Sequence, residues 1–239
     1  GTVIAGIIGA VANNDEGIVG INHVVTIMPL RILDENGAGS TADVRQAIVY
    51  AVRNGAQVIN LSFTSSQSDE RLRQTIEWAV DQGVVIVTAV GNGGEDVNKK
   101  PSYPACYDLL SGRDVVLAVA ATTSDDKKAL FSNFGSNCTD LSAPGTNIFG
   151  TVYNDPTNLF TSTAYGSPWE GTSIAAPMVT SAIALMKARY PLLTPEQIHL
   201  ALKLSVDPVA ETSVEARREL GAGRLNVARA LDAAKSFAR

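Results

Sequence analysis

Apolar runs alternate along this chain with segments that have helical periodicity. Four of the runs are continuously apolar instead of alternating with polar positions, and they lie at residues 24–33, 57–63, 84–90 and 115–121. Continuous runs of this length are typical of parallel strands that are buried on both faces of a sheet. The pattern therefore predicts a strand in each of these segments.

Two segments between the runs have the spacing of amphipathic helices, at residues 40–55 and 68–83. We expect Ser40 or Thr41 to be the N-cap of the first helix and Ser68 that of the second, because a hydroxyl can accept from the free N–H groups of a first turn. The positions predicted to face inward are Val44, Ile48, Ala51 and Val52 in the first helix and Leu72, Ile76 and Ala79 in the second.

The order strand, helix, strand, helix predicts an α/β fold with an open sheet. At 239 residues, a single domain spanning 1–239 is expected. The apolar opening at 1–12 is predicted to be a buried helix, and the glycine- and proline-rich segments 91–112 and 133–171 are predicted to be loops. Ligands bind in such sheets at the loops that follow the strands.

Composition narrows the classes of function. The net charge of −5 provides no basic surface for nucleic acid or for an anionic membrane, and no segment approaches the roughly 20 apolar residues of a membrane span. We therefore expect a soluble protein that does not bind nucleic acid. The only cysteines, Cys106 and Cys138, imply no disulfide framework, although one bridge can form between them.

Asn92 lies just beyond the predicted strand at 84–90, with a glycine on each side. Glycines there allow a substrate backbone to come close, and the asparagine amide could then donate a hydrogen bond to a developing oxyanion. Taken alone, Asn-Gly is more often a turn in which the asparagine bonds its own backbone. Both interpretations stay open on this segment alone.

Ser173 lies at the predicted start of a helix that continues to residue 190. A serine in that place is close to the positive end of the helix dipole, where backbone N–H groups can face an anion. Gly171 permits a close approach to it. The simpler alternative is that Ser173 is only the helix N-cap, which is a commoner role for serine than that of a nucleophile.

The run Gly171-Thr172-Ser173-Ile174-Ala175-Ala176-Pro177 resembles the nucleophile motif G-T-S-x-A-x-P of the subtilisin-like serine peptidases, the subtilases. Further segments resemble motifs of the same family, in the same order: GTVIAG at 1–6, VINLSF at 58–63, AVGNGG at 89–94, SNFGSNCTDLSAPG at 132–145 and GAGRLNVARAL at 221–231. The resemblance implies a three-layer subtilisin-like α/β fold, with a doubly wound, mostly parallel sheet and helices on both faces. It also implies a serine endopeptidase that acts on proteins or peptides and needs no cofactor for its chemistry.

By this resemblance Ser173 forms the acyl-enzyme, and Asn92 stabilises the oxyanion together with the Ser173 backbone N–H. The family's histidine directly precedes the pair that is Gly1-Thr2 here, and its aspartate lies further upstream, so neither is expected in this chain. His23 and His199 do not match the family's position and are expected to be structural or surface residues. The resemblance thus implies an N-terminally incomplete domain that is inactive and unstable alone.

The resemblance assigns Ser62-Phe63-Thr64 and Ala89-Val90-Gly91 to substrate binding, with an extended peptide held between two strand-like segments. Neither segment carries a charged side chain. This favours a pocket that accepts apolar side chains, or many kinds of side chain, at P1, the substrate residue before the scissile bond. Thr64 stands where the family usually has glycine, and a side chain there could crowd the pocket.

Asn14 and Asp15 lie in the loop VANNDEGIVG at 11–20, which resembles a calcium-binding loop of many subtilases. Their oxygens suit Ca²⁺ as a structural ion, and a glycine-containing surface turn is the alternative. Cys138 matches a disulfide pattern of some secreted subtilases better than Cys106 does, so both a bridge and two buried thiols stay open. The family's usual secretion makes a secreted or extracytoplasmic location the expected one.

Two other hypotheses compete with a peptidase of this general kind. One is a catalytically inactive subtilase-like protein that acts as a binding or assembly module, and the other is an intracellular processing or maturation protease that acts on one partner. Retention of both Ser173 and Asn92 argues against the inactive module, because a scaffold has no physical need for an amide in that loop. The missing N-terminal part is itself an expected partner, either on a separate chain or upstream on this one.

Overall fold

The computed structural model describes residues 1–155, 157, 163–210 and 218–238. Its helices are α1 (Thr2–Gly9), α2 (Thr41–Arg53), α3 (Glu70–Asp81), α4 (Tyr107–Ser111), α5 (Thr172–Arg189), α6 (Pro195–Leu204) and α7 (Val227–Lys235). Its strands are β1 (Val58–Leu61), β2 (Val85–Ala89), β3 (Leu117–Thr122), β4 (Leu141–Pro144), β5 (Ile148–Thr151) and β6 (Tyr165–Trp169). None of the described helices is long and apolar enough to cross a membrane.

Strands β1 to β4 form one parallel sheet in chain order, and β5 and β6 form a separate antiparallel pair. The sheet lies between two layers of helices. On one face Val85, Val87 and Ala89 pack with α5, and on the other Ile86 packs with α2 and α3. Because successive strand residues point to opposite faces, β2 is buried along its whole length. This confirms the predicted α/β fold and the strands predicted at 57–63, 84–90 and 115–121.

The strand predicted at 24–33 is wrong. The segment has irregular structure, pairs with no described strand and exposes apolar side chains, among them Val24 at 75% and Met28 at 38%. A strand exists only where a neighbour accepts and donates its backbone hydrogen bonds. The apolar run predicts side chains that are buried by another part of the protein. It does not predict which strand, if any, lies beside the segment and forms its backbone hydrogen bonds.

Two of the predicted loops contain regular structure. Helix α4 lies within 91–112, and strands β4, β5 and β6 lie within 133–171, of which residues 156 and 158–162 are outside the described part of the chain. The missed strands are four or five residues long, and prolines occur in two of them, Pro144 and Pro168. Proline is depleted in strands, so the composition of these segments concealed them.

The predicted helices are present, with differences at their starts. Ser40 caps α2, but α3 is capped by Asp69 and not by Ser68: the Asp69 Oδ1 accepts from the Leu72 N–H at 3.0 Å. The opening helix is α1, although it is buried only at Gly6–Ile8. It packs on α5 instead of on the sheet, and therefore rests against the helix that begins beside Ser173.

Candidate active site

The carboxyl ends of β1 and β2 meet the start of α5 at one edge of the sheet. Ser62 directly follows β1, Asn92 lies three residues beyond β2, and Ser173 is the second residue of α5. Parallel strands carry their carboxyl ends to the same edge, so residues that are 80 to 111 positions apart in sequence form direct hydrogen bonds here.

Thr172 fixes the orientation of the Asn92 side chain. The Asn92 Oδ1 accepts from the Thr172 backbone N–H and from the Thr172 hydroxyl, both at 2.8 Å, and the Gly91 N–H donates to the Thr172 Oγ1 at 3.2 Å. A backbone N–H can only donate, so the amide end that faces it must be the oxygen. The Nδ2 donor forms no hydrogen bond with another described residue and lies beside Gly171.

This geometry differs from that of a simple turn asparagine, because the Asn92 side chain bonds α5 and not its own backbone. It leaves the Asn92 Nδ2 free to donate. Thr172 had no role assigned from the sequence, although it lies inside the Gly-Thr-Ser motif.

Ser173 is not the N-cap of α5. The cap is Gly171, at φ 139°, a backbone conformation that favours glycine, and no side chain caps the helix. The Ser173 hydroxyl instead donates to the Ser62 carbonyl at 3.3 Å, and the Ser62 hydroxyl donates to the Ser173 carbonyl at 3.2 Å. Because Ser173 is in the first turn, its backbone N–H has no partner within the helix and can face an anion.

Pro177 explains why the Ser173 carbonyl needs a donor from outside the helix. A helical carbonyl normally accepts from the N–H four residues later, and proline has none. The Ser62 hydroxyl replaces it, and Ser62 is held in turn: the Asn60 Nδ2 donates to the Ser62 Oγ at 2.8 Å, and the Thr180 hydroxyl donates to the Asn60 Oδ1 at 2.9 Å. A line of hydrogen bonds thus joins α5 to β1 and ends at Ser173.

Asn60 and Thr180 had no role predicted from the sequence. A signal was present, since Asn60 lies in the VINLSF segment two residues before Ser62, and Thr180 lies two helical turns beyond Ser173 on the same face of α5.

The two predicted substrate segments differ in their backbone groups. Phe63 and Thr64 form no backbone hydrogen bond with another described residue, so they can pair with an added peptide. The Val90 N–H, by contrast, donates to a carbonyl of β3, the Gly91 N–H donates to α5, and all of Ala89-Val90-Gly91 is buried. The N–H groups of Val90 and Gly91 are thus used inside the protein, and the role of Ala89-Val90-Gly91 in substrate binding stays a prediction.

Neither histidine can reach Ser173. His199 is buried in α6, where its Nδ1 lies 4.0 Å from the Asp114 carboxylate, and burial lowers the pKa of His199. Asp114 precedes β3 and lies at the amino ends of the strands, about 20 Å from the end that carries Ser173 for a strand of this length. His23 is exposed in a turn, and the N–H of its neighbour Asn22 donates to the Ile8 carbonyl, which also accepts from Ser181, eight residues beyond Ser173 along α5. Eight residues of helix span about 12 Å, so the turn with His23 lies beside a later part of α5 and not beside Ser173.

The loop with Asn14 and Asp15 does not by itself make a cation site. Both side chains are exposed, and the Asn14 Oδ1 accepts from the Glu16 N–H at 3.4 Å. Within the described part of the chain, no three His, Cys, Asp or Glu side chains converge as metal ligands. Ca²⁺ takes about six to eight oxygen ligands, so backbone carbonyls or other groups would have to complete a site at these two side chains.

Cys106 and Cys138 are joined in a disulfide, with their Cα atoms 4.8 Å apart, and neither is a free thiol. The bond ties the segment after β2 to the segment before β4. Of the two alternatives left open by the sequence, the structure contains the bridge.

Comparison with known proteins gives consistent results over most of the chain. A family model described as the Subtilase family matches residues 1–223. Thermitase from Thermoactinomyces vulgaris is 35% identical over 212 residues, which are 89% of this chain and 68% of thermitase. Subtilisin DY from Bacillus licheniformis is 33% identical over 83% of this chain and 66% of its own length.

An extracellular protease from Xanthomonas campestris pv. campestris is 38% identical over 85% of this chain and 35% of its own length. Each of these relatives thus has residues that the match does not cover. A solved structure of a protease from Pseudoalteromonas arctica PAMC 21717 superposes with a TM-score of 0.82 at 29% identity, covering 97% of this chain and 70% of that one.

Proposed function

The chain belongs to the subtilase family, and from that premise we propose that it acts as a serine endopeptidase with its acyl-enzyme on Ser173. The observation that carries the proposal is the relation between Ser173 and Asn92. The Asn92 Oδ1 is held by Thr172, the residue directly before Ser173, so the Asn92 Nδ2 stays free to donate next to the first turn of α5, where the Ser173 backbone N–H is also free.

In the proposed mechanism the Ser173 Oγ attacks the scissile carbonyl carbon, and a histidine takes the hydroxyl proton and passes it to the leaving amine. The carbonyl oxygen becomes an oxyanion that accepts from the Asn92 Nδ2 and the Ser173 N–H. Water then attacks the acyl-enzyme and restores the hydroxyl. The Ser173 hydroxyl must first exchange its bond to the Ser62 carbonyl for one to the base.

We propose that the histidine and its aspartate come from residues that precede Gly1, as the resemblance implies. Ser181 of α5 donates to the Ile8 carbonyl of α1 at 2.9 Å. This bond supports the proposal because it joins α1 to α5, the helix that contains Ser173. A histidine directly before α1 would therefore belong to an element that is bonded to α5.

A missing strand fits the described sheet. β1 pairs with β2 along one edge, and none of the described strands pairs with its other edge. Ile32, from the irregular segment at 24–33, packs against the same apolar cluster as Leu61 of β1. A strand added between them would pair the open edge and cover exposed apolar side chains. Without it, we expect residues 1–239 alone to be inactive and prone to aggregate.

Substrate binding is proposed at Phe63 and Thr64, whose free backbone groups suit antiparallel pairing with an extended peptide. Their uncharged side chains favour an apolar or broad preference. Thr64 is exposed, so its methyl and hydroxyl groups lie where a bound side chain would pass.

Calcium and secretion remain predictions from the resemblance. A structural calcium at Asn14 and Asp15 needs ligands beyond those two side chains, and no step of the chemistry passes through it. A chelator should lower the melting temperature if the ion is bound, and an unchanged melting temperature would refute the site. The disulfide favours an extracytoplasmic compartment, since such bonds persist in oxidising environments.

The test is labelling of the full-length gene product with a fluorophosphonate, together with hydrolysis of a fluorogenic peptide. We expect wild-type protein to label and hydrolyse, and Ser173→Ala to do neither, because loss of the nucleophile costs about 10⁶ in kcat in subtilisin, a member of this family. A folded, full-length protein that neither labels nor hydrolyses would favour the alternative, an inactive binding or assembly module.

A further inference from the structure

Asn133 holds both sides of the segment that carries Asn92. It lies between β3 and β4 and is 6% exposed. Its Nδ2 donates to the Val90 carbonyl at 3.0 Å, and its Oδ1 accepts from the Gly93 N–H at 3.0 Å and from the Glu95 N–H at 2.9 Å. One side chain thus bonds the chain before and after Asn92 and uses both ends of its amide.

The backbone around these bonds is closely fitted. The Asn133 N–H donates to the Gly91 carbonyl at 2.9 Å, and Gly91 has φ 112°. A Cβ atom placed on Gly91 would lie 2.4 Å from the Asn133 Nδ2. Glycine at 91 is therefore what allows Asn133 to approach the segment, while Asn92 itself remains exposed.

We propose that Asn133 is a positioning residue for catalysis, which acts through Asn92 and does not touch the substrate. This rests on the proposed function of Ser173 and Asn92. An oxyanion donor is effective only when it is held about 2.7–3.1 Å from the oxygen before the reaction. Thr172 fixes the Asn92 amide from the helix side, and Asn133 fixes the backbone from which that amide extends.

The rival explanation is that Asn133 merely braces two loops. Asn98 provides a matched control, because its Oδ1 accepts from the Asn137 N–H at 3.0 Å and so joins the same two loops six residues further from Asn92. If Asn133 only joins the two loops, substitution of Asn98 and substitution of Asn133 should change activity equally. If Asn133 positions Asn92, only the Asn133 variants should lose activity.

The experiment is a double-mutant cycle in the full-length protein, with Asn92→Ala, Asn133→Ala, the double variant and Asn98→Ala as control. Loss of the oxyanion asparagine lowers kcat about 10²–10³-fold in subtilisin. If Asn133 acts through Asn92, substitution of Asn133 cannot lower kcat by more than that. We expect Asn133→Ala to lower kcat about ten- to a hundredfold with KM changed less than about threefold, and Asn98→Ala to leave kcat unchanged.

The decisive comparison is the double variant. We expect it to have the kcat of Asn92→Ala alone, because the positioning residue has nothing left to position. Losses that multiply in the double variant would overturn the proposal, as would equal kcat values for Asn133→Ala and wild type.

A second variant covers the case in which alanine prevents folding. Asn133→Asp keeps the size of the side chain and both acceptor bonds to Gly93 and Glu95 but loses the donor to Val90. We expect a lower kcat from it as well, and an unaltered kcat would contradict the requirement for anchors on both sides of Asn92.

Amide hydrogen exchange separates failure of this proposal from failure of the proposed function. The Gly93 and Glu95 amides should be protected in wild type and lose protection in the Asn133 variants, whether or not the protein hydrolyses peptides. If wild type is inactive but this difference is present, the positioning geometry stands and the peptidase is refuted. If the amides exchange equally in all variants, Asn133 does not hold the segment.

Discussion

Thr180→Val tests whether the hydrogen bonds between α5 and β1 reach the nucleophile. The substitution nearly preserves shape and removes only the hydroxyl that donates to the Asn60 Oδ1 at 2.9 Å. Thr180 is 6% exposed, so valine fits there without new solvent contact. The variant loses the first donor in a series of hydrogen bonds. In that series Thr180 donates to Asn60, Asn60 donates to Ser62, and Ser62 donates to the Ser173 carbonyl.

The magnitude follows from burial. A net hydrogen bond contributes about 0.5–1.5 kcal/mol, and an acceptor left unpaired in the interior costs about 1–3 kcal/mol. Asn60 is only half-buried, so we expect about 1–2 kcal/mol, which is about 2–8 °C in melting temperature for a chain of this size. We also expect acylation of Ser173 to slow about three- to tenfold, because Ser62 loses its support.

Thermal melts and the rate of fluorophosphonate labelling measure the two effects separately. Thr180→Ser keeps the hydroxyl and should restore the labelling rate. A Thr180→Val protein that melts earlier but labels at the wild-type rate would refute the reasoning, because the hydrogen bonds would then stabilise the fold without reaching Ser173.

Two other predictions concern groups away from the site. Burial raises the pKa of Asp108 to about 7 from 3.8, so the folded state holds this proton more tightly than the unfolded state, and the contribution to stability is lost as pH rises from about 4 to 7. Asp108→Asn keeps an acceptor for the Val115 and Val116 N–H groups. In urea melts, the free energy of unfolding of this variant relative to wild type should rise by roughly 2–3 kcal/mol between pH 5 and pH 8. An equal difference at both pH values would contradict the shift. The Cys106–Cys138 bridge spans a sequence separation of 32, so the double serine variant should lose about 3–4 kcal/mol and melt about 10 °C lower, whereas coincident melts of oxidised wild type and variant would exclude a stabilising bridge.

The sequence predicted best those features that depend on local pattern. The strands β2 and β3 are buried along their whole length and β1 is partly buried, so their apolar runs identify these strands without knowledge of their neighbours. The helices α2 and α3 have a regular apolar face and a capping residue, which are also local. The motif around Ser173 and the segment around Asn92 were recognised through their resemblance to subtilase motifs, since position at a strand or helix end left the role of each residue open.

The features that only the tertiary structure decided all depend on a partner distant in sequence. The segment at 24–33 has an apolar pattern but no described strand beside it, so pattern alone misassigned it. The reciprocal bonds between Ser62 and Ser173 and the orientation of Asn92 by Thr172 join residues 111 and 80 positions apart. A hydrogen bond is specific to distance and angle, and neither is written in the periodicity of either segment. The sequence by itself determined which chemical groups the site contains, while packing of α5 across the sheet decided which of them meet.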